Sequence, residues 1–143
     1  MSAALVTGAA KRLGRAMALY LANRGHDVAI HYSGSQEEAQ AVAEEIQALG
    51  RTAALVQADL TVEAEMQTVV ERAHTALERP LTVLVNNASI FEYDTLESAS
   101  RTSWDRHLES NLRAPFVLTQ GFADQAPEPE IEPNGEPKAR ALV

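Results

Sequence analysis

The chain has 143 residues, of which 45% are hydrophobic and 22% charged, a balance typical of one globular domain that buries a core. Its 20 acidic residues outnumber its 12 basic residues, and the net charge of −8 disfavours a nucleic-acid partner or an anionic membrane surface. Without cysteine, a disulfide framework, a thiolate nucleophile and a cysteine metal site are excluded. The longest uncharged run, Pro80 to Phe91, is too short to span a bilayer, and no export signal is visible, so we expect a cytoplasmic protein.

Four short apolar runs predict four strands, which begin at Ala3, Val28, Ala53 and Leu81. None alternates apolar with polar residues, as expected for strands that are covered on both faces. Between them, apolar residues recur at helical spacing. The predicted buried faces are Leu13, Met17, Tyr20 and Leu21 in the first helix, Ala39, Val42, Ala43, Ile46 and Leu49 in the second, and Met66, Val69, Val70, Ala73 and Leu77 in the third. This order predicts βαβ crossovers and a doubly wound parallel sheet, a three-layer α/β/α architecture.

Capping signals bound the three helices. Gly25 and Gly50 follow the first two helices, where a left-handed residue closes the last turn. Thr61, followed by Glu63 and Glu65, predicts a capping side chain and favourable acids at the start of the third helix.

The chain beyond the fourth strand begins with a polar loop, 86–100, and a helical stretch from about Thr102 to Ala123, in which Pro115 should introduce a bend or a division. One face of this stretch carries Trp104, Leu108, Leu112, Phe116 and Thr119, either as an interface or as packing on the sheet. Residues 124–138 hold four of the six prolines and five acids and predict a flexible connection. Residues 139–143 resemble the start of a fifth strand, so residues 1–143 are expected to form part of a single domain that is incomplete at its C-terminus.

The segment Thr7-Gly8-Ala9-Ala10-Lys11-Arg12-Leu13-Gly14 joins the first strand to the first helix. Gly8 can take the positive φ of a tight turn, and Gly14 permits a close approach of backbone or ligand. Such a turn directs N–H groups and the positive end of a helix at one spot, which favours a pyrophosphate. The alternative is a purely structural turn.

Four features in register make the chain resemble the short-chain dehydrogenase/reductase family. They are Thr7-Gly8 with Gly14, Asp59-Leu60 after the third strand, Asn86-Asn87-Ala88-Ser89 after the fourth, and Asn111 in the next helix. The resemblance implies a Rossmann sheet and hydride transfer between a nicotinamide cofactor and a carbonyl, alcohol or imine carbon. Arg12 stands where most members carry glycine or alanine, and together with 31–35 and Ser89 it resembles the pteridine reductase branch.

The resemblance implies site residues at the carboxyl ends of the strands. Gly8, Arg12, Leu13 and Gly14 would hold the pyrophosphate, and Asp59 with Leu60 would hold the adenine, although Asp59 could instead cap the third helix. Asn87, Ala88 and Ser89 would reach the ribose through small side chains, with an Asx turn as the alternative. Asn111 would hold a water that relays protons, or would bond neighbouring backbone as a buried asparagine.

The second strand lacks the acid that normally bonds the adenosine ribose in an NAD site. His31, Tyr32, Ser33 and Ser35 occupy the stretch instead, and Arg12 belongs to the neighbouring turn. A 2′-phosphate prefers donors and a cation, so we predict NADP(H) as the cofactor. Taken singly, Arg12 could be a solvated charge and His31 a core histidine.

The catalytic pair that the family implies, a tyrosine with a lysine four residues later, is absent from these residues. Lys11 and Lys138 are the only lysines, and neither follows a tyrosine at that spacing. The four histidines lack partners at metal-ligand spacing, so no metal is expected.

The leading hypothesis is an NADP(H)-dependent reductase that acts on a carbonyl or pterin-like small molecule and assembles as a homo-dimer or homo-tetramer. The alternatives are a non-catalytic dinucleotide-binding regulatory protein and a truncated paralogue. The resemblance to the pteridine reductase branch implies that Phe91 stacks a flat ring while Arg12 bonds its polar edge, although Phe91 could equally be an ordinary loop aromatic.

Overall fold

Four parallel strands form the central sheet: β1 (Ala3–Val6), β2 (Asp27–Tyr32), β3 (Ala53–Gln57) and β4 (Leu81–Val85). The computed structural model describes residues 2–138 and 142–143. The strand order is β3-β2-β1-β4, so the chain builds outward from β1 and then crosses to its other side. Every residue of β1 and β2 is buried, which explains their uninterrupted apolar character. The doubly wound prediction is confirmed.

Helices cover both faces of the sheet and give two apolar clusters. On one face lie α1 (Arg12–Asn23) and α2 (Gln36–Ala48), which pack on residues such as Val28 and Ile30. On the other face lie α4 (Val69–Leu77) and α6 (Ala114–Gln125), which pack on residues such as Leu5 and Leu84. The result is the predicted three-layer α/β/α architecture.

The predicted buried face of α1 is half right, because Met17 and Leu21 are partly buried and pack against the core. The buried residues of α1 are Gly14, Ala18 and Ala22, whereas Leu13 and Tyr20 are exposed. Helix α1 approaches the turn that follows β1 so closely that only small side chains fit between them. The hydrophobic pattern therefore predicts large residues on the buried face, whereas close packing buries the small residues most completely.

Helix α2 buries Ala39, Val42, Ala43 and Ile46 as predicted, but it ends at Ala48 and leaves Leu49 exposed. The positive φ of Gly25 and Gly50 is the left-handed conformation expected where these first two helices end.

The third predicted helix is two helices, α3 (Glu63–Met66) and α4, although all five of its predicted apolar residues are buried. The predicted cap at Thr61 is wrong, because Val62 occupies the N-cap position and makes no side-chain cap. The Thr61 hydroxyl donates instead to Asp59 Oδ1 over 2.7 Å, and it makes no cap on α3.

The long helical stretch after β4 is divided into α5 (Arg101–Leu108), a π-helical turn (Glu109–Arg113) and α6. Pro115 lies in the first turn of α6, directly after the π-helical turn, and it has no N–H to donate to a carbonyl of that turn. The buried residues of the stretch are Ser110, Ala114, Leu118 and Phe122. Trp104, Leu108, Leu112 and Phe116 are exposed, so the expectation that they pack on the sheet is wrong.

Beyond α6 the chain forms a small antiparallel hairpin of β5 (Glu130–Ile131) and β6 (Pro137–Lys138). Leu142 makes a parallel bridge with Val83: the Leu84 N–H donates to Leu142 O, and the Leu142 N–H donates to Thr82 O, both over 2.9 Å. Residues 139–141 of the predicted fifth strand lie outside the described residues. The flexibility of 124–138 stays a prediction.

Candidate functional site

A cleft of about 390 Å³ opens at the carboxyl ends of the strands. It lies where β1 and β4 are neighbours in the sheet but not in the sequence. At such a point the loops that follow the two strands lead to opposite faces of the sheet and leave a crevice between them. Open α/β sheets bind their ligands in this position.

The cleft brings together nearly all of the predicted cofactor-binding residues. Its lining includes Gly8, Arg12, Leu13, Gly14, His31, Ser33, Asp59, Leu60, Asn87, Ala88 and Ser89. Tyr32 and Ser35 do not line it, because Tyr32 is buried between the sheet and α2 and Ser35 sits at the N-cap position of α2.

Sequence reasoning missed several residues of the cleft. The lining also includes Lys11, Ala58, Thr61, Ile90 and Ser110. Of these, only Lys11 carried a usable signal, since a second cation beside Arg12 in a phosphate-binding turn favours an anion. Ala58, Ile90 and Ser110 are apolar or small residues, and only the tertiary structure brings them to the cleft.

The glycine turn is built by two close approaches. Gly8 has φ 62°, and an added Cβ there would meet the Ala88 Cα at 3.0 Å. A Cβ on Gly14 would lie 2.6 Å from Asn87 Nδ2. Both glycines are therefore required by sterics. The first N–H groups of α1 have no partner inside the helix, and they belong to cleft residues.

Thr7 joins this turn to the segment that follows β4. Its Oγ1 accepts from the backbone N–H groups of Asn87 and Ala88, each over 2.9 Å, and donates to Val85 O over 3.3 Å. The Asn87 side chain donates back to Thr7 O over 2.9 Å. Among the described residues no backbone N–H donates to Asn87 Oδ1, so Asn87 does not form the Asx turn that the sequence left open.

Asp59 sits at the far end of the cleft, just beyond β3. Its Oδ1 accepts from the Thr61 N–H over 2.9 Å and from the Thr61 hydroxyl, and these bonds hold the pKa of Asp59 below its usual value. Thr61 precedes α3, so Asp59 organises the entry to that helix without being its N-cap. The carboxylate is thus ionised at neutral pH and keeps Oδ2 for a further donor, since no hydrogen bond to Oδ2 is made within 2–138.

Two cations flank the glycine turn. Lys11 Nζ lies 2.9 Å from Glu38 of α2, an exposed ion pair that lowers the pKa of Glu38. Arg12 has φ 49°, a left-handed conformation that is costly for a residue with a side chain. Within the described chain Arg12 makes no ion pair, so its guanidinium is available to a ligand.

His31 is 2% exposed and has both ring nitrogens bonded. The Gly8 N–H donates to Nδ1 over 3.1 Å, and Nε2 lies 3.1 Å from Ala58 O. This arrangement matches the alternative of a satisfied core histidine. A direct contact between His31 and a phosphate, as the sequence predicts, would require one of these two bonds to break.

Asn111 lies in the π-helical turn and holds the loop that leaves the cleft. Its Oδ1 accepts from the Ile90 N–H over 2.8 Å, and its Nδ2 donates to Ile90 O over 2.9 Å. It therefore bonds neighbouring backbone, as one alternative held, but it is exposed and not buried. Its proton-relay role stays a prediction.

The loop beyond Ile90 is fastened to α5. Arg106 bonds Glu92 over 2.7 Å, and the Glu92 N–H donates to His107 Nε2 over 3.0 Å. Phe91, between Ile90 and Glu92, is 85% exposed and is not part of the cleft lining. The loop thus presents an aromatic ring to solvent from a backbone that is held in place.

Two further features concern function. Across the described residues, no helix is both long and apolar enough to cross a membrane. Likewise, in that part of the chain, no three histidine or acidic side chains cluster as metal ligands would.

Comparisons with known proteins agree with this geometry. The family model described as short chain dehydrogenase matches residues 2–130. The short-chain dehydrogenase/reductase FrzI of Cladobotryum sp is 39% identical over 130 residues, which are 90% of this chain and 50% of that protein. The 3-oxoacyl-[acyl-carrier-protein] reductase FabG of Staphylococcus aureus is 39% identical over 122 residues, 85% of this chain and 49% of that protein.

Solved structures give the same picture. A short chain dehydrogenase from Burkholderia cenocepacia in complex with NADP superposes with a TM-score of 0.85 at 41% identity, covering 89% of this chain and 51% of that one. FolM alternative dihydrofolate reductase 1 from Brucella suis, also in complex with NADP, gives 0.83 at 37% identity, with 89% and 52% covered. The chain therefore spans about half the length of these relatives. By its matched sequence and its fold, the chain belongs to the short-chain dehydrogenase family.

Proposed function

We propose that residues 1–143 are the dinucleotide-binding part of an NADP(H)-dependent oxidoreductase. The observation that carries the proposal is that the glycine turn, two cations and Asp59 meet in one cleft. The complexes of the Burkholderia and Brucella relatives with NADP support it. The residues after α6, 126–138, are then a connection to the remainder of the domain, which would begin with the strand that contains Leu142.

The residues of the cleft fit the parts of a dinucleotide. The first turn of α1 and its free N–H groups suit the pyrophosphate, because a helix N-terminus favours an anion. Asp59 Oδ2 suits the exocyclic amine of the adenine, and the small side chains at 88–89 leave space for the second ribose. The nicotinamide would supply or accept a hydride when bound.

Preference for NADP(H) over NAD(H) would come from the end of β2 and from the turn beside it. An exposed Ser33 stands there instead of an acid, and Lys11 and Arg12 lie on the neighbouring turn. A 2′-phosphate would compete with Glu38 for Lys11, because it carries more charge than a carboxylate. Tyr32 and Ser35 do not line the cleft, so they would affect the cofactor preference only by setting the course of the backbone between β2 and α2.

The test is fluorescence titration of the 143-residue chain with NADPH and with NADH. We expect NADPH to bind at least about tenfold more tightly, as charge-assisted bonds to the extra phosphate imply. Lys11→Met should remove most of this difference and leave NADH binding unchanged. Glu38→Gln should tighten NADPH alone by about two- to fivefold, the size of an exposed ion pair.

Glu44→Gln is the matched control for Glu38→Gln, because Glu44 lies on the same helix without a cation partner in the described chain. Equal or tighter binding of NADH by the unmodified chain would overturn the cofactor assignment.

A non-catalytic dinucleotide-binding protein is the alternative that these residues leave open, because they contain no Tyr-x-x-x-Lys pair. Steady-state oxidation of NADPH by a longer protein that includes the downstream sequence, with a panel of carbonyls and pterins, separates the two. Turnover supports the reductase, whereas NADPH binding without any turnover supports the regulatory protein.

We further propose a pterin-like substrate held by Phe91 and Arg12. One solved relative is named an alternative dihydrofolate reductase, and dihydrofolate contains a pterin ring. A flat ring laid on Phe91 would bury an aromatic that is now exposed, and stacking adds about 0.5–1.5 kcal/mol. Phe91→Ala should therefore weaken dihydropterin binding to the NADPH complex about tenfold.

Tyr93→Ala is the control, since Tyr93 is exposed to the same extent two residues away. If the two substitutions have equal effects, Phe91 is an ordinary loop aromatic.

The exposed apolar face of α5 and α6 supports a homo-oligomer. Trp104, Leu108, Leu112 and Phe116 recur every four residues along α5, the π-helical turn and α6, and all four are exposed. These four residues are called the apolar stripe. We propose that a second copy of the protein covers this stripe.

A further inference from the structure

The side chain of His31 crosses between two walls of the cleft. It leaves the end of β2, and its ring lies between the turn that follows β1 and the segment that follows β3. The Gly8 N–H can only donate and Ala58 O can only accept. The two bonds therefore require one tautomer, with Nδ1 bare and the proton on Nε2.

On the side of β1, His31 holds two successive amides of the glycine turn. Its Nδ1 accepts from the Gly8 N–H, and its backbone carbonyl accepts from the Ala9 N–H over 2.9 Å. Gly8 is the residue whose positive φ reverses the chain toward α1. The position of the phosphate-binding turn relative to β2 thus depends on two atoms of His31.

On the side of β3, the ring bonds the residue that precedes Asp59. Ala58 is anchored twice, because its N–H donates to Tyr32 O over 3.0 Å while its carbonyl accepts from His31 Nε2. The same imidazole therefore connects the turn expected to hold the pyrophosphate with the carboxylate expected to hold the adenine.

A buried ring with both nitrogens engaged has no donor left for a phosphate. Burial also lowers the pKa of His31, and the charge of Arg72 lowers it further, although the bond to Ala58 raises it. The neutral ring is the form that both bonds need, since a proton on Nδ1 would face the Gly8 N–H.

We propose that His31 is a positioning residue for the cofactor: without touching it, the imidazole sets the Gly8 amide and the Ala58 carbonyl at the separation that a dinucleotide requires. The proposal rests on the proposed function, because it assigns His31 a part in the same NADP(H) site. Its consequence is that the Nδ1 contact controls cofactor affinity through the glycine turn. The Nε2 contact positions Ala58, which precedes the residue expected to hold the adenine, Asp59.

Two substitutions separate these contacts. Asparagine places an amide oxygen at the position of Nδ1, so His31→Asn keeps an acceptor for Gly8 and loses the bond to Ala58. Glutamine places an amide nitrogen near the position of Nε2, so His31→Gln keeps a donor for Ala58 and loses the acceptor for Gly8. Both remove the same ring from the core.

NADPH affinity is measured by fluorescence titration of the 143-residue chain and of both variants. We expect His31→Gln to bind about tenfold more weakly than the unmodified chain, and His31→Asn to stay within about threefold of it. A merely structural role predicts equal losses in the two variants, and that result would overturn the proposal. If the unmodified chain binds no NADPH, the proposed function fails instead.

A second measurement needs no variant and no cofactor. The ¹⁵N and ¹H NMR spectra of the unmodified chain report which ring nitrogen of His31 carries the proton. We expect an unprotonated Nδ1 and a slowly exchanging Gly8 amide at pH 7. A proton on Nδ1, or rapid exchange of the Gly8 amide, would contradict the positioning role even if the variants fail to fold.

Discussion

Gly14 packs against the carbonyl of Gly8 so closely that a Cβ atom on Gly14 would lie 2.1 Å from the Gly8 oxygen. A backbone atom cannot rotate away as a flexible side chain can, so any larger residue at 14 must move α1 or the turn. Position 14, in the first turn of α1, therefore tolerates substitution by a larger residue poorly.

We expect Gly14→Ala to lower the free energy of unfolding by at least about 3 kcal/mol, the upper range for overpacking, and to abolish measurable NADPH binding. Urea unfolding and fluorescence titration measure the two effects. Gly121→Ala is the control, because the nearest atom to its added Cβ is 3.5 Å away on Val70 and alanine favours a helix. If Gly14→Ala is as stable as Gly121→Ala, the close packing is not as the structure has it.

The left-handed backbone of Arg12 leads to a second prediction. Arg12→Gly should raise the free energy of unfolding by about 1 kcal/mol, since glycine takes a positive φ without steric cost. The same change should weaken NADPH binding, because it removes a cation from the cleft.

Arg12→Asn separates backbone from charge, since asparagine tolerates the left-handed region but carries no charge. It should bind NADPH as weakly as Arg12→Gly does. A loss of stability in Arg12→Gly would show that the arginine side chain contributes to the fold and not mainly to a ligand.

The buried His31 makes stability depend on pH. Its folded pKa lies below the ordinary value of about 6.5, so as the pH falls below 6.5 the unfolded chain takes up a proton before the folded chain does. The stabilisation is complete above pH 6.5 and is lost progressively as the pH falls from there toward the folded pKa.

Urea unfolding from pH 7.5 to 5.5 should therefore show a falling free energy of unfolding, with a smaller slope in His31→Asn. The pKa of His26 is also lowered, chiefly by partial burial. His26→Asn therefore measures how much of the pH dependence of stability comes from His26. An unchanged slope in His31→Asn would contradict the assignment of a neutral, buried ring.

The apolar stripe on α5 and α6 gives a prediction about assembly. Leu112 is 65% exposed near the middle of the stripe, and a charge there would be buried without a partner if a second copy covers it. Leu112→Glu should convert a dimer or tetramer into a monomer without unfolding it, as measured by light scattering and circular dichroism.

Leu49→Glu is the matched control, because Leu49 is an exposed leucine at the end of α2, in a different layer of the fold. The proposed interface is contradicted if the unmodified chain is already monomeric at working concentration, or if both substitutions leave the assembly intact.

The sequence predicted two helix faces incompletely or wrongly. In α1 and in the stretch from α5 to α6, a helical periodicity was present, but two stripes competed for the sheet. In α1 the buried residues are the small residues Gly14, Ala18 and Ala22. In the later stretch they are Ser110, Ala114, Leu118 and Phe122. In α1, hydropathy ranks large residues first, whereas the short distance between the helix and the turn after β1 admits only small ones. The later stretch buries the large residues Leu118 and Phe122, so there the prediction failed in choosing between two apolar faces.

By itself, the sequence determined the parallel α/β order, the position of the glycine turn and the set of strand ends that line the cleft, because strand spacing and glycine sterics are local properties. Only the tertiary structure decided that His31 bonds Gly8 and Ala58, that Lys11 pairs with Glu38, and that Asn87 cross-links to Thr7. These contacts join residues far apart in the chain, and their partners follow from strand order and register, which no local pattern encodes.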